Sequence, residues 1–194
     1  MAAVARREFL KQGAAVTLTI GGAAYFSGMM ENQPLLAHPI LRPPGALTEE
    51  VIIGPQARAQ ARTIGLDCQI EPNLPMIICD KRRIGQVLNN LLENAIRHTM
   101  KGGKVTVKVS RTAGGVQFAV QDTGEGIASD EVDKIFLSFY QAANQKEQGR
   151  LGLGLSIARE IVENHGGKLW VESPGLGKGA TFLFTIPLAN TSEK

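Results

Sequence analysis

Gln86–Thr99 reads QVLNNLLENAIRHT, and its spacing is that of an amphipathic helix. Val87, Leu88, Leu91, Leu92, Ala95 and Ile96 form one apolar stripe, with amides interrupting it. Asn90 and Asn94 stand one turn apart on one face. Paired amides offer neutral hard oxygens, suited to a magnesium ion whose charge is balanced mainly by substrate phosphates. Arg97, a further turn along, is in reach of a phosphate. An isolated Asn pair reads more simply as solvated or cap-like residues, so the weight falls on the segments downstream.

Three more segments come in order. VQDTGEGI, Val120–Ile127, ends an alternating strand-like run from Gly115 in a glycine-rich loop. A carboxylate at Asp122 can accept from an exocyclic amine such as that of adenine, and Gly124 and Gly126 clear side chains from the approach of a flat base. Asp-x-Gly-x-Gly also occurs in turns with no ligand. Ile135–Gln141, IFLSFYQ, sets Phe136 and Phe139 before a polar run, Ala142–Arg150. A long irregular loop in a compact domain is uncommon unless functional, so this run reads as a lid with aromatic anchors, or else as a plain surface loop. GRLGLGLSI, Gly149–Ile157, has glycines at 149, 152 and 154 and passes into an apolar-periodic helix, Leu155 to about His165, stopped by Gly166. Bare N–H groups at such a helix start attract phosphate. No Gly-Lys-[Ser/Thr] comes after the glycines, so it is not a Walker A loop.

The ordered set resembles the N, G1, F and G2 boxes of the catalytic ATP-binding domain of sensor histidine kinases, relatives of gyrase, the ninety-kilodalton heat-shock chaperones and mismatch-repair ATPases. The similarity runs from about Leu47 to Leu188 and takes in the approach Cys79–Gln86, CDKRRIGQ, and the closing GKGATFLFTIP. It implies ATP and Mg2+ as cofactors, with Asn94 the main magnesium ligand and Asn90 assisting. It implies that Arg97 touches phosphate, His98 lies against base or ribose, and Asp122 reads the adenine amine. Gly124 and Gly126 would shape the base pocket and Gly152 and Gly154 would cradle phosphates, with Ile127, Leu153 and Leu155 also among the nucleotide-binding residues. Glu93 joins Asn94 and Arg97 as a catalytic candidate. Arg150 and Leu151 depart from the family's usual Gly and Thr or Ser, and Arg150 could supply a lid cation. His98 and His165, each inside a motif helix, read as structural or base-contacting rather than as phosphate carriers.

The expected elements are helices at Thr48–Thr63, Lys81–Thr99 and after the lid, with strands at Leu66–Glu71, Lys104–Arg111, Gly115–Asp122, Lys168–Ser173 and Gly179–Leu188. This order predicts an α/β fold, a two-layer sandwich with helices on one face of a mixed sheet.

No upstream phosphoacceptor hairpin is evident. His38, in LLAHPILRPPG, is followed by Pro39, Pro43 and Pro44 and has no acidic neighbour to activate it. The resemblance therefore implies transfer of the ATP γ-phosphate to a His supplied in trans by a dimerisation domain, with a response regulator beyond it. The alternative is a non-catalytic nucleotide-binding fragment or pseudokinase acting as an interaction module.

The N-terminus tells another story. ARREFLK, residues 5–11, before the apolar stretch Gln12–Met30, resembles a twin-arginine export leader. A spanning helix needs about 20 predominantly apolar residues, and Gly21-Gly22 weaken this one. No small-x-small cleavage site stands out, which leaves a short membrane anchor as the other reading. LRPPGALTEE is similar to the segment after the leader of exported ferredoxin-type proteins, whose cysteine clusters are missing here. Cys68 and Cys79 have no metal-ligand spacing, and buried reduced thiols are the plain expectation. Arg6, Arg7 and Lys11 would hold the N-terminus in the cytoplasm and send the rest outward, away from ATP. A mosaic joined near residues 45–50 resolves the conflict, with a cytoplasmic catalytic domain that residues 12–30 could anchor at the inner membrane.

The expected organisation is a leader or anchor at 1–30, a linker at 31–46, the catalytic domain at 47–189 and a polar tail at 190–194. With 194 residues, 43% hydrophobic and 20% charged, one core of ordinary size can form. The net charge of +3 is too small and dispersed to argue for nucleic acid. Lys81-Arg82-Arg83 reads first as a solvated helix start.

Overall fold

Asp80 starts the central helix. Its carboxylate Oδ1 accepts from the N–H groups of Arg82 (2.9 Å) and Arg83 (3.1 Å), which satisfies donors that a helix start leaves without partners. The structure, a computed structural model, describes residues 16–20, 23–27, 39–140 and 152–188. Contacts divide the chain into two units, Met1–Ala37 and His38–Lys194. In the first, strands β1 (Val16–Ile20) and β2 (Ala23–Ser27) pair antiparallel. Among the described residues no helix is long and apolar enough to cross a membrane.

The second unit opens with strand β3 (Pro39–Arg42), in the stretch expected to be a linker, followed by helix α1 (Pro44–Ala61). Pro44 occupies the first helical turn, where its missing N–H costs nothing, so the helix begins before the expected Thr48. Then come β4 (Gly65–Ile70), β5 (Ile77–Asp80), α2 (Lys81–His98), β6 (Lys104–Thr112), β7 (Gly115–Asp122), a 3₁₀ turn at Lys134–Phe136, α3 (Gly154–Asn164), β8 (Leu169–Glu172) and β9 (Thr181–Pro187).

Five strands form the main sheet in the order β4-β6-β7-β9-β8, with β4 and β6 parallel and the other pairs antiparallel. A parallel pair needs a crossover, which α2 supplies. β3 and β5 make a small separate sheet, missed in the sequence because each strand is four residues long. Helices pack against the sheet in the expected two-layer α/β sandwich. The predicted stripe of α2, Val87, Leu88, Leu91, Leu92, Ala95 and Ile96, is buried throughout. Beneath it Phe118 and Phe184, opposite each other on β7 and β9, stack with centroids 4.6 Å apart.

Both cysteines are free. Cys79 is fully buried, and burial, reinforced by the charge of Asp80, pushes its thiol up to about 11 against the pull of Arg42.

Candidate functional site

The Asn90 side chain donates from Nδ2 to the carbonyl of Gly154 at 3.0 Å, joining residues 64 positions apart. A carbonyl can only accept, so the NH2 end of the amide is fixed toward Gly154 and Oδ1 is the end left over. Asn94 lies one turn along the same face of α2. The bond seats this face beside the start of α3, which no side chain caps. The first N–H groups of a helix have no partner within it. Leu153 is the N-cap residue, and its carbonyl accepts from Ile157 N–H and the Ser156 hydroxyl, both at 3.0 Å. A neutral amide oxygen, with a second amide one turn along, and an uncapped helix start are therefore neighbours, a donor set that fits a phosphate-bound magnesium ion.

Asp122, at the end of β7, is only 6% exposed. Its Oδ1 accepts from Gly124 N–H at 2.9 Å and Ala180 N–H at 3.2 Å, and neither bond uses Oδ2. Burial raises its carboxyl above the ordinary range, opposed by these two N–H groups and by His98, with Glu125 adding to the rise. Gly124 has no room for a side chain, because a Cβ would overlap the His98 carbonyl. Gly126 lies against the Gly175 carbonyl, and Ile127 donates its N–H to Ser173 Oγ at 3.0 Å. Ser173 in turn donates to Gly179 (2.8 Å). The β8–β9 loop therefore buttresses the Asp122 loop. Ser173 and Ala180 were missed as site residues; the only sequence signal was the GKGA run before the last strand.

At the C-terminal end of α2, His98 Nδ1 is 3.6 Å from a Glu125 carboxylate oxygen, and the His98 carbonyl accepts from Glu125 N–H at 3.1 Å. Arg97 and His98 are partly buried there. The Glu93 carboxylate pairs with Arg58 of α1 at 2.9 Å. Gly152 has φ 63, which a non-glycine residue rarely adopts, and its carbonyl accepts from Phe139 N–H at 3.2 Å. The two aromatics expected to anchor a lid part company. Phe136 is buried, edge-on to Phe182 and beneath the Arg159 guanidinium, whereas Phe139 is 69% exposed with φ 65. Residues 141–151, which include Arg150 and the polar run Ala142–Arg150, and His38 lie outside the described residues.

His165 is buried. Its Nε2 accepts from Asp80 N–H at 3.1 Å, so in the neutral ring Nδ1 carries the proton and donates to the Ile161 carbonyl at 2.7 Å. Both ring nitrogens are thus used within the fold. Lys81 pairs with Glu50 at 2.7 Å, while Arg82 and Arg83 are exposed.

Residues 79–190 match the family described as histidine kinase-, DNA gyrase B- and HSP90-like ATPases. The adaptive-response sensory kinase SasA of Parasynechococcus marenigrum (strain WH8102) is 39% identical over 145 residues, 74% of this chain and 38% of that protein. The chain thus spans about two fifths of such a relative. Full-length ShkA in complex with AMPPNP superposes with a TM-score of 0.70 at 32% identity, covering 80% of this chain and 32% of ShkA. The catalytic domain of histidine kinase ThkA gives 0.69 at 32% identity, covering 77% of this chain and 95% of that domain; ThkA has also been solved with the response regulator protein TrrA (TM-score 0.67, 28% identity, 80% of this chain and 43% of ThkA). The sequence boxes, the sandwich and these likenesses agree: the chain belongs to the histidine kinase-, DNA gyrase B- and HSP90-like ATPase family, and within it is similar in sequence and fold to a histidine kinase catalytic domain.

Proposed function

We propose that the facing surfaces of α2 and the start of α3 bind Mg·ATP and that this chain transfers the γ-phosphate to a histidine on a partner chain. The observation that carries the proposal is the Asn90–Gly154 bond, which sets the Asn90 amide, one turn from Asn94, beside an uncapped helix start. Asn94 is the main magnesium ligand and Asn90 assists through Oδ1. Magnesium, when bound, offsets phosphate charge. Gly154 and Leu155 N–H groups hold phosphate oxygens, Gly152 and Leu153 shape the approach, and Arg97 adds a cation. Asp122 Oδ2 accepts from the adenine amine, walled by Gly124, Gly126 and Ile127, with His98 against base or ribose. Arg150 is the candidate lid cation.

Catalysis of this kind is positioning. The site holds the γ-phosphorus in line with an imidazole nitrogen, an N–P bond forms, the O–P bond to the β-phosphate breaks, and ADP leaves. The imidazole belongs to a His-bearing dimerisation domain in trans, and a response regulator then takes the phosphoryl group, as the ThkA–TrrA complex makes reasonable. The Arg58 pair supports a structural part for Glu93 rather than proton transfer. Such a site works where ATP is, in the cytoplasm, and any membrane association would rest on residues 12–30.

Titration calorimetry of the full chain with AMPPNP and Mg2+ tests the pocket. Wild type is expected to bind and Asn94→Ala to lose Mg-dependent binding; equal binding by both would remove Asn94 from the site. A helical-hairpin partner bearing His is then expected to acquire acid-labile phosphate from ATP. Binding without labelling would make the chain a nucleotide-holding interaction module instead.

A further inference from the structure

The last four carbonyls of α2 find partners from three parts of the chain. Ala95 accepts from the N–H (3.0 Å) and hydroxyl (2.7 Å) of Thr99. Ile96 and Arg97 accept from one guanidinium nitrogen of Arg62, at 3.0 and 3.2 Å. His98 accepts from Glu125 N–H in the loop after Asp122. Arg62 is the C-cap residue of α1, 34 and 35 positions away from the carbonyls it holds. Its own backbone is fixed: its N–H bonds to Arg58 and Ala59 carbonyls, and the next residue, Thr63, accepts from Gly102 N–H at 2.9 Å.

We propose that Arg62 is a positioning residue for the nucleotide's base pocket, an inference that rests on the nucleotide site proposed above. The guanidinium holds Arg97's own carbonyl, and the adjoining His98 carbonyl holds the loop of Gly124 and Glu125. A cation at this end also meets the negative pole of the helix. With Arg62 removed, the last turn of α2 loosens, the His98–Glu125 bond weakens, and the wall beside Asp122 loses its fixed place. Arg62 touches no nucleotide; it acts through two carbonyls.

The test uses the full chain as wild type, Arg62→Ala, Arg62→Lys and Lys81→Ala. The last breaks an ion pair, rather than a side chain–carbonyl bond, between the same two helices, at the Glu50 end. Amide hydrogen exchange without nucleotide is expected to speed up at Glu125 N–H in Arg62→Ala and to stay at the wild-type rate in Lys81→Ala. Calorimetry with AMPPNP and with ADP is expected to show both weakened by the same factor in Arg62→Ala, about two- to fivefold, as suits an exposed cation at a helix C-terminus. Arg62→Lys, which keeps the charge, should recover part of the loss and carries the test if Arg62→Ala does not fold. Unchanged Glu125 exchange in the Arg62 variants, or an equal change in Lys81→Ala, would overturn the assignment. Failure of wild type to bind AMPPNP would instead overturn the nucleotide site, while the exchange experiment would still report whether Arg62 holds the loop.

Discussion

Asp122 is held at the residue scale by two opposed effects. Burial raises its carboxyl, while N–H groups from Gly124 and Ala180 and the nearby His98 favour the charged form without cancelling the rise. A carboxyl raised above its unfolded value of 3.8 binds more protons in the native state, so its contribution to stability grows as pH falls through the raised value and is unfavourable at neutral pH. Asp122→Asn keeps an Oδ1 acceptor for both N–H groups and removes the buried charge. We expect a higher Tm than wild type at neutral pH, with the difference closing as pH falls toward the ordinary carboxylate range, followed by thermal melts across pH. The same substitution puts an NH2 where the adenine amine would donate, and AMPPNP binding should weaken about tenfold to a hundredfold, the worth of a hydrogen bond to a charged group. A variant steadier yet weaker in binding would mark Asp122 as kept for its ligand. Asp122 was legible as a candidate because its motif is local. Its Ala180 partner, 58 positions away, was not.

At the scale of elements, α3 is pinned at both ends. Gly154 receives the Asn90 amide at one, and His165, at the C-cap, ties Ile161 to Asp80 at the other. Asp80 in turn caps α2, so one buried ring links the end of α3 to the start of α2. His165→Phe fills the volume but leaves the Asp80 N–H without its acceptor. We expect a loss of about 1–3 kcal/mol in urea unfolding, partly recovered in His165→Gln, whose side-chain oxygen can reach toward the place of Nε2. The α2 stripe, the α3 period and its stop at Gly166 were readable within the sequence. The bonds that orient them were not, since a histidine in a motif helix looks the same whether it meets a base or a neighbouring strand. Glu93 makes the same point: its place before Asn94 pointed to the site, and only the packing of α1 against α2 brought it to Arg58.

For the whole molecule, the sheet is the base on which the site stands. β7 delivers Asp122 and pairs with β9, whose preceding loop supplies Ala180, so the register of this pair sets the Asp122 contacts. Phe118 and Phe184 lock that register from the core side. Phe184→Ala should cost about 3–5 kcal/mol, seen as a lowered urea midpoint, and should weaken AMPPNP binding in the molecules that remain folded. The antiparallel pair β1 and β2 belongs to the unit Met1–Ala37, and the leader-like motif at residues 5–11 lies outside the described residues.

The sequence by itself determined the α2 stripe, the glycine-rich turns, the sandwich order and the candidate residues around Asn94, Asp122 and Gly154, because periodicity, capping and turn chemistry are written within a few neighbouring residues. Only the tertiary structure decided that β3 pairs with β5, that Asn90 meets Gly154, that Glu93 turns to Arg58 and that Arg62 closes the end of α2. Those partners lie tens of residues apart, and a hydrogen bond across such a distance leaves no spacing in the chain from which it can be read.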